Sequence, residues 1–525
     1  MYAGFDRRGR RREILQGMEM KKMRSVLPVI SLAAGVVVSF EARGDLLLHT
    51  PIDVIGNLSA SQFTSLGYGT NTYKDWGNEP SAAVNPLNPS QIVVSSFSFG
   101  TSSTSIGANI FYSTTGGTSW TSQFSVPAPG AGITTPRDWN FAYDSTGLLH
   151  AAVLGGAGST VNVYHGSTTD PTSLAAWNWT GGGTRINTST AGNADQPWLA
   201  VQGGRVFVGY DDFTAGVTLR VTASNNNGTT FAIDNAITNG ARVGNTVNPG
   251  TRITTDGAGN VYSIFGLGPS AGVGTHTVTY FLNRSRDGGA TWDFMGSSAP
   301  GGIVITSGTS RQLDNAGTQA SNTWFARVND LRGNITAIAA DATGAHVYTL
   351  IGKQDAAGTD RIYLREFHPS GANLVGSAEI VISPAGQRAA FPSITVLANR
   401  TVVIMYDAYD SSTNTVHVHI ATSSDFGASI DSDVIAYSFV PLSLLAATGS
   451  STSNREFGDY QYLMSLGDTF YGVFAGLGNV NGGGINTTAL IDPFFVSGTI
   501  VPEPPTLLLM LGALLGFGFF RHRTH

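Results

Sequence analysis

The chain has 525 residues and a formal net charge of −6, with only 12% charged residues and as many as 66 glycines. A hydrophobic share of 41% is enough for a large core and argues against wholesale disorder, while the negative balance and the lack of a basic stripe argue against nucleic acid as a partner. There are no cysteines, which removes disulfides, thiolate metal sites and a cysteine nucleophile. Ser, Thr, Asn and Gly in place of charge suit short strands joined by tight turns, and the Ala/Leu/Glu/Lys runs of long helices are missing.

Residues 1–19 carry Arg7, Arg8, Arg10, Arg11 and Arg12 and read as an extension ahead of a true start at Met20. Residues 20–44 have a positive n-region, an apolar run from Val26 to Phe40 and a small-residue exit, the layout of a secretory signal peptide. Ala42-x-Gly44 is the first choice of cleavage site and Val37-x-Ser39 the second. An uncleaved anchor helix is the alternative, although the run is shorter than the roughly 20 residues a membrane span needs.

Residues 78–498 repeat one pattern: a polar opening, a short apolar stretch, a turn and a β-rich strand. Glu79-Pro80-Ser81 leads to Ile92–Ser95, Asp195-Gln196-Pro197-Trp198 to Val206–Tyr210, and Phe391-Pro392-Ser393 to Thr401–Tyr406. A period of roughly 55 to 80 residues made wholly of strands and turns predicts an all-β protein, a β-propeller of four-stranded blades. Seven blades are counted, with six as the alternative because the interval between Arg252 and Ile335 is irregular. Residues 45–77 would then supply a strand that closes the ring.

Four turns share a further pattern. Ser285, Asp287, Gly289 and Trp292 fit S-x-D-x-G-x-T-W at every position. Ser113, Gly117 and Trp120 keep most of it; Ser224, Asn226 and Gly228, and Ser423, Asp425 and Gly427, are weaker copies. The chemistry is local: the third residue accepts hydrogen bonds from its own turn, Gly takes the positive φ, and the terminal aromatic tucks between sheets. The boxes open about 111, 61 and 138 residues apart, close to two, one and two repeats, which predicts equivalent places on blades one, three, four and six.

These boxes resemble the Asp-boxes of the sialidase (BNR-repeat) superfamily, and the openings at Glu79, Asp195 and Gly458-Asp459-Tyr460-Gln461 look like those of its bacterial exo-sialidase-like propellers. The resemblance implies the fold. A sialidase of that family would also need an arginine cluster for the substrate carboxylate, an acid/base Asp and a Tyr nucleophile assisted by Glu. Innermost strands line a propeller axis, so the candidates are Arg137, Asp138, Asp195, Arg252, Arg332, Arg388, Arg455, Glu456, Asp459 and Tyr460. The other reading is that these charges pair with one another and lock the blades. Against catalysis, blade one opens with Asn78-Glu79-Pro80 where the family presents Arg-Ile-Pro; Arg252-Ile253-Thr254 resembles that element three blades on. No Tyr–Glu pair stands out, since Tyr406 and Tyr460 both sit where Tyr is ordinary strand filler. Asp211-Asp212 and Asp407 with Asp410 suit either Ca²⁺ or turn capping, and His417-x-His419 reads as a surface strand; no other cofactor is expected.

Residues 499–525 hold Pro502-Glu503-Pro504, an apolar segment 506–520 and a basic end at Arg521-His522-Arg523. This resembles the PEP-CTERM sorting signal of bacteria, which implies an exosortase-type processing enzyme as a partner and only transient membrane contact. The expectation is an exported, cell-surface or extracellular propeller that binds glycan or matrix components. The alternatives are a glycoside hydrolase or lyase working on polysaccharide in the axial cleft, and a structural envelope protein.

Overall fold

A computed structural model describes residues 44–65, 77–99, 106–134, 137–157, 160–189, 192–214, 218–238, 251–268, 274–297, 301–313, 325–326, 336–441, 457–478 and 490–501. Among them, seven antiparallel sheets follow one another along the chain, each with its first strand innermost. The innermost strands are Ser81–Val84, Arg137–Tyr143, Ala194–Gln202, Arg252–Thr255, Thr336–Ala340, Arg388–Val396 and Tyr462–Leu466. Each touches the next, and the seventh touches the first. The protein is a seven-bladed β-propeller.

Strand composition follows position in the blade. The second strand of blade six, Val402–Asp410, reads VVIMYDAYD and is buried at all but its last residue, because neighbouring blades cover both of its faces. The outer strand Ser432–Phe439 is mostly half-buried or exposed. Seams between blades carry the largest side chains: Trp139 and Phe141 are fully buried between blades one and two, with Phe97 at 4.7 Å from Trp139. Each such side chain contributes about 2–3 kcal/mol by leaving water. Polar stitches join consecutive innermost strands. Ser81 Oγ accepts from the Phe141 N–H at 3.0 Å, and Asn140 Oδ1 accepts from the Leu199 N–H at 3.0 Å.

Blade seven takes strands from both ends of the described chain. Its order from the axis outwards is Tyr462–Leu466, Thr469–Gly478, Leu490–Val501 and Asp45–Leu48. Asp45 pairs with Val501 and Leu48 with Gly498, so residues 45–48 close the ring by hydrogen bonding to its last strand.

The four boxes occupy one place, the turn between third and fourth strands of blades one, three, four and six. In each, the serine hydroxyl accepts from the glycine N–H two positions past the acidic site: Ser113–Gly117 2.9 Å, Ser224–Gly228 3.0 Å, Ser285–Gly289 2.8 Å and Ser423–Gly427 3.0 Å. Those glycines have φ between +77° and +90°, a region that a Cβ disfavours. Close approach adds to this: a Cβ on Gly117 would stand 2.1 Å from the Phe495 ring of blade seven, and one on Gly228 2.2 Å from His165 of blade two. Each box thus presses its backbone against the preceding blade.

Candidate axial site

The innermost strands open with an unusual backbone. Glu79, Asp138, Gln196 and Phe391 have φ of +49°, +31°, +47° and +53°, and Gly458 has +76°. Each lies two residues before the level occupied by Ser81, Asn140, Trp198, Ser393 and Tyr460. In blades two, three and six the pairing register shifts at the same point. A non-glycine residue held there costs about 1–3 kcal/mol, a kind of strain that clusters at functional sites. Here it turns Trp198 and Tyr460 onto the wall of a central cavity of about 360 Å³ lined by all seven blades.

At the deep end of that cavity, side chains from four blades meet across the axis. The Arg252 guanidinium lies over the Trp198 ring at 4.3 Å and faces Tyr460 at 5.7 Å. A desolvated cation–π contact of this kind is worth about 2 kcal/mol. Arg252 Nη1 donates to Gln196 Oε1 at 3.1 Å and to the Thr251 carbonyl at 3.3 Å. Gln196 Nε2 in turn donates to Asp459 Oδ2 at 3.0 Å, joining blade three to blade seven. Tyr460 packs edge-on against Trp198 at 5.7 Å, and its hydroxyl reaches the Trp139 carbonyl at 3.4 Å. Tyr462 extends the aromatic wall, 5.5 Å from Trp198. Arg252 Nη2 is buried and has no hydrogen-bond acceptor among the described residues.

Burial sets the electrostatics. It pulls the Arg252 guanidinium down to about 10, against the attraction of Asp211, Tyr460, Glu79 and Asp138, so the group remains a cation at neutral pH. The Tyr460 hydroxyl is pushed well above its ordinary value by burial, with Glu79 and Asp138 adding to the effect. Asp211, opposite Asp195 in the strand ladder, rises to about 7 through burial and the Asp195 charge, while the Thr251 hydroxyl at 2.7 Å and Arg252 work the other way.

The structure brings Asp138, Asp195, Arg252, Asp459 and Tyr460 into this neighbourhood. Arg388 stands apart: its guanidinium pairs with Asp360 of blade five at 3.8 Å. The Arg137 side chain, Arg332, Arg455 and Glu456 lie outside the described residues. Trp198, Gln196 and Glu79 belong to the site although they were not among its expected members; all three stand at the openings of innermost strands, and only the meeting of blades brings them to the axis. Tyr406 is no mere filler, since its hydroxyl donates to Asp433 at 2.7 Å. His419 is buried rather than on the surface, stacked on Tyr406 at 4.8 Å and bonded to Asp433 at 2.9 Å. Of the carboxylates considered for Ca²⁺, Asp410 accepts from the Ser412 N–H at 2.8 Å and Asp212 from the Thr214 N–H at 3.0 Å, both as turn caps. Among the described residues no group of three or more acidic or histidine side chains converges as a metal site would require.

No family model matches the chain, and no curated protein does. Solved structures with a similar course of the chain include a polysaccharide lyase of family PL25, an ulvan lyase, at 11% identity over 80% of this chain and 94% of that one, with a TM-score of 0.45. An α-L-arabinanase of Penicillium chrysogenum is 10% identical over 85% of this chain and 98% of its own, with a TM-score of 0.42. The endosialidase of phage phi92 is 9% identical over 88% of this chain and 70% of its own, with a TM-score of 0.42.

Proposed function

We propose that this chain is an exported, sialidase-like β-propeller that binds extracellular glycan or matrix saccharide in its axial cavity. The observation that carries the reading is the arrangement at the deep end of the cavity. An aromatic wall of Trp198, Tyr460 and Tyr462 stands beside a buried guanidinium whose Nη2 has no acceptor among the described residues. Aromatic faces suit the C–H face of a sugar ring, and a few fixed donors and acceptors suit its hydroxyls, the usual composition of a small-ligand site. Four boxes at equivalent turns support the kinship with sialidase-like, BNR-repeat proteins. Export through residues 20–44, with hand-over to an exosortase-type enzyme at Pro502-Glu503-Pro504, completes the reading and places the protein at the cell surface or outside the cell. Screening the purified chain on a glycan array tests it. Wild type should bind a defined set of saccharides and Trp198→Ala should lose them at least tenfold, the scale of a lost aromatic anchor of about 1.4 kcal/mol or more; equal binding by both proteins refutes the site.

A second reading, a glycosidase of the same superfamily, is favoured by one observation: Glu79 and Asp138 act electrostatically on the Tyr460 hydroxyl. A carboxylate beside a tyrosine is the pairing that a tyrosine nucleophile needs. Turnover on a fluorogenic glycoside panel that Tyr460→Phe abolishes would establish it. Absence of turnover with retained array binding leaves the binding protein.

A further inference from the structure

The cavity and the chain's exit toward the sorting motif lie on the same face of the ring. At its deep end the cavity is bounded by Trp198, Arg252, Asp459 and Tyr460, which are buried or tied together across the axis. At its other end it is bounded by Tyr143, Thr255, Ala340, Val396 and Leu466, the last residues of their innermost strands, all partly exposed. The mouth is therefore on the face where the innermost strands finish. Strand register carries that level outward through blade seven. Leu466 pairs with Thr469, Thr469 with Thr499, and Thr499 with Leu47. Val501 lies two residues beyond Thr499, on the mouth side and two strands from the channel wall, which is about 10 Å at the spacing of paired strands. The next residue is Pro502.

We propose that the cavity mouth faces the surface to which the chain is tethered through its tail, so that its ligand is a saccharide of the producing cell's own envelope or matrix rather than a foreign glycan. This rests on the reading of Pro502-Glu503-Pro504 as a sorting site and of the cavity as a saccharide site. With no residue spare between the last strand and the motif, the ring has little freedom to turn its mouth away while the tail is held.

The natural absence of cysteine gives a direct test. Leu87 is exposed in the turn that follows the first innermost strand, next to the mouth-lining Pro86. Ser412 is exposed in the turn after Val402–Asp410, on the opposite face. Full-length Leu87→Cys and Ser412→Cys chains, displayed on intact cells of the producing bacterium, are treated with a bulky membrane-impermeant maleimide. Expected is labelling at Ser412→Cys severalfold faster than at Leu87→Cys, with equal rates once the chains are purified. Mild periodate oxidation of the cell-surface polysaccharide should raise labelling of Leu87→Cys toward that of Ser412→Cys. Equal rates on a retained chain overturn the orientation alone. Shielding that survives the oxidation overturns the saccharide as occupant. A chain found only in the medium with its tail intact overturns the sorting reading, and the proposal with it.

Discussion

Blades three and six carry the same architecture with different chemistry. Both have a box hairpin, and behind it the residues four before and ten after the box serine meet the second-strand tyrosine that pairs across from the first of them. In blade three these are Tyr210, Arg220 and Asp234: the Tyr210 hydroxyl donates to Asp234 at 2.7 Å and Arg220 Nε at 3.1 Å. In blade six they are Tyr406, His419 and Asp433, with bonds of 2.7 Å and 2.9 Å. One residue past each tyrosine stands a buried aspartate facing the next blade's innermost strand. Asp211 meets Thr251 and Arg252, and Asp407 meets Gln461. Asp211 rises to about 7 and Asp407 to about 8, in both cases chiefly through burial. The lesson is that a buried seam sets the direction of the shift, and the partner across it only trims the size.

The largest expected effect follows from those two carboxylates. Each holds its proton more tightly folded than unfolded, where the value is 3.8. Their stabilisation is complete below that value and is lost as pH rises through the folded value. Asp407→Asn should therefore be more stable than wild type at pH 9, by at most about 6 kcal/mol, and should match it at pH 4. Asp211→Asn should show the same sign with a smaller gain and an earlier onset. Melting temperatures across pH decide the matter; a gain that is independent of pH would break the comparison.

A middle-sized effect separates Arg220 from His419. Arg220 neutralises an Asp234 side chain that is fully buried, whereas Asp433 is 26% exposed beside His419. Arg220→Ala leaves a charge stranded and should cost about 3 kcal/mol. His419→Ala lets water reach Asp433 and should cost about 1.5 kcal/mol. Urea titrations at one pH rank the pair, and equal losses would mean that stacking on Tyr406, rather than charge, dominates in blade six.

The propeller was legible because its signals are local. A box needs only Ser285, Asp287, Gly289 and Trp292 within one turn, and four such turns at multiples of one period define equivalent sheets. The axial site was half legible. Arg252, Asp459 and Tyr460 stand at strand openings, where position along the chain alone suggests an axial place. Arg388 stands at an opening too, yet it pairs with Asp360 on the neighbouring blade, because which way a side chain leaves a bulge depends on backbone torsions that the residue types do not encode. Gln196 and Trp198 become site residues only when blades three, four and seven are brought together, and Asp211 only because Thr251 and Arg252 arrive from the next repeat.

The smallest effect sharpens the comparison among the boxes. Asp287 accepts three hydrogen bonds, from Ser285 Oγ at 2.9 Å, Thr291 N–H at 2.8 Å and Thr291 Oγ1 at 2.6 Å. Thr115, in the same position of blade one, accepts from the Ser119 N–H at 2.9 Å with a neutral hydroxyl. Burial pulls the Asp287 pKa up, but the Thr291 and Ser285 bonds outweigh it and hold the carboxyl below its ordinary value. Its contribution is thus present above the unfolded value of 3.8 and is lost as pH falls through the lower folded value. Because the turn is exposed, Asp287→Ala should cost only about 1 kcal/mol near neutral pH, and less in acid. Thr115→Asp should add about 0.5 kcal/mol near neutral pH and nothing in acid, since only an ionised acceptor strengthens the Ser119 bond. A gain for Thr115→Asp that persists in acid would mean that side-chain shape, not charge, ranks the four hairpins.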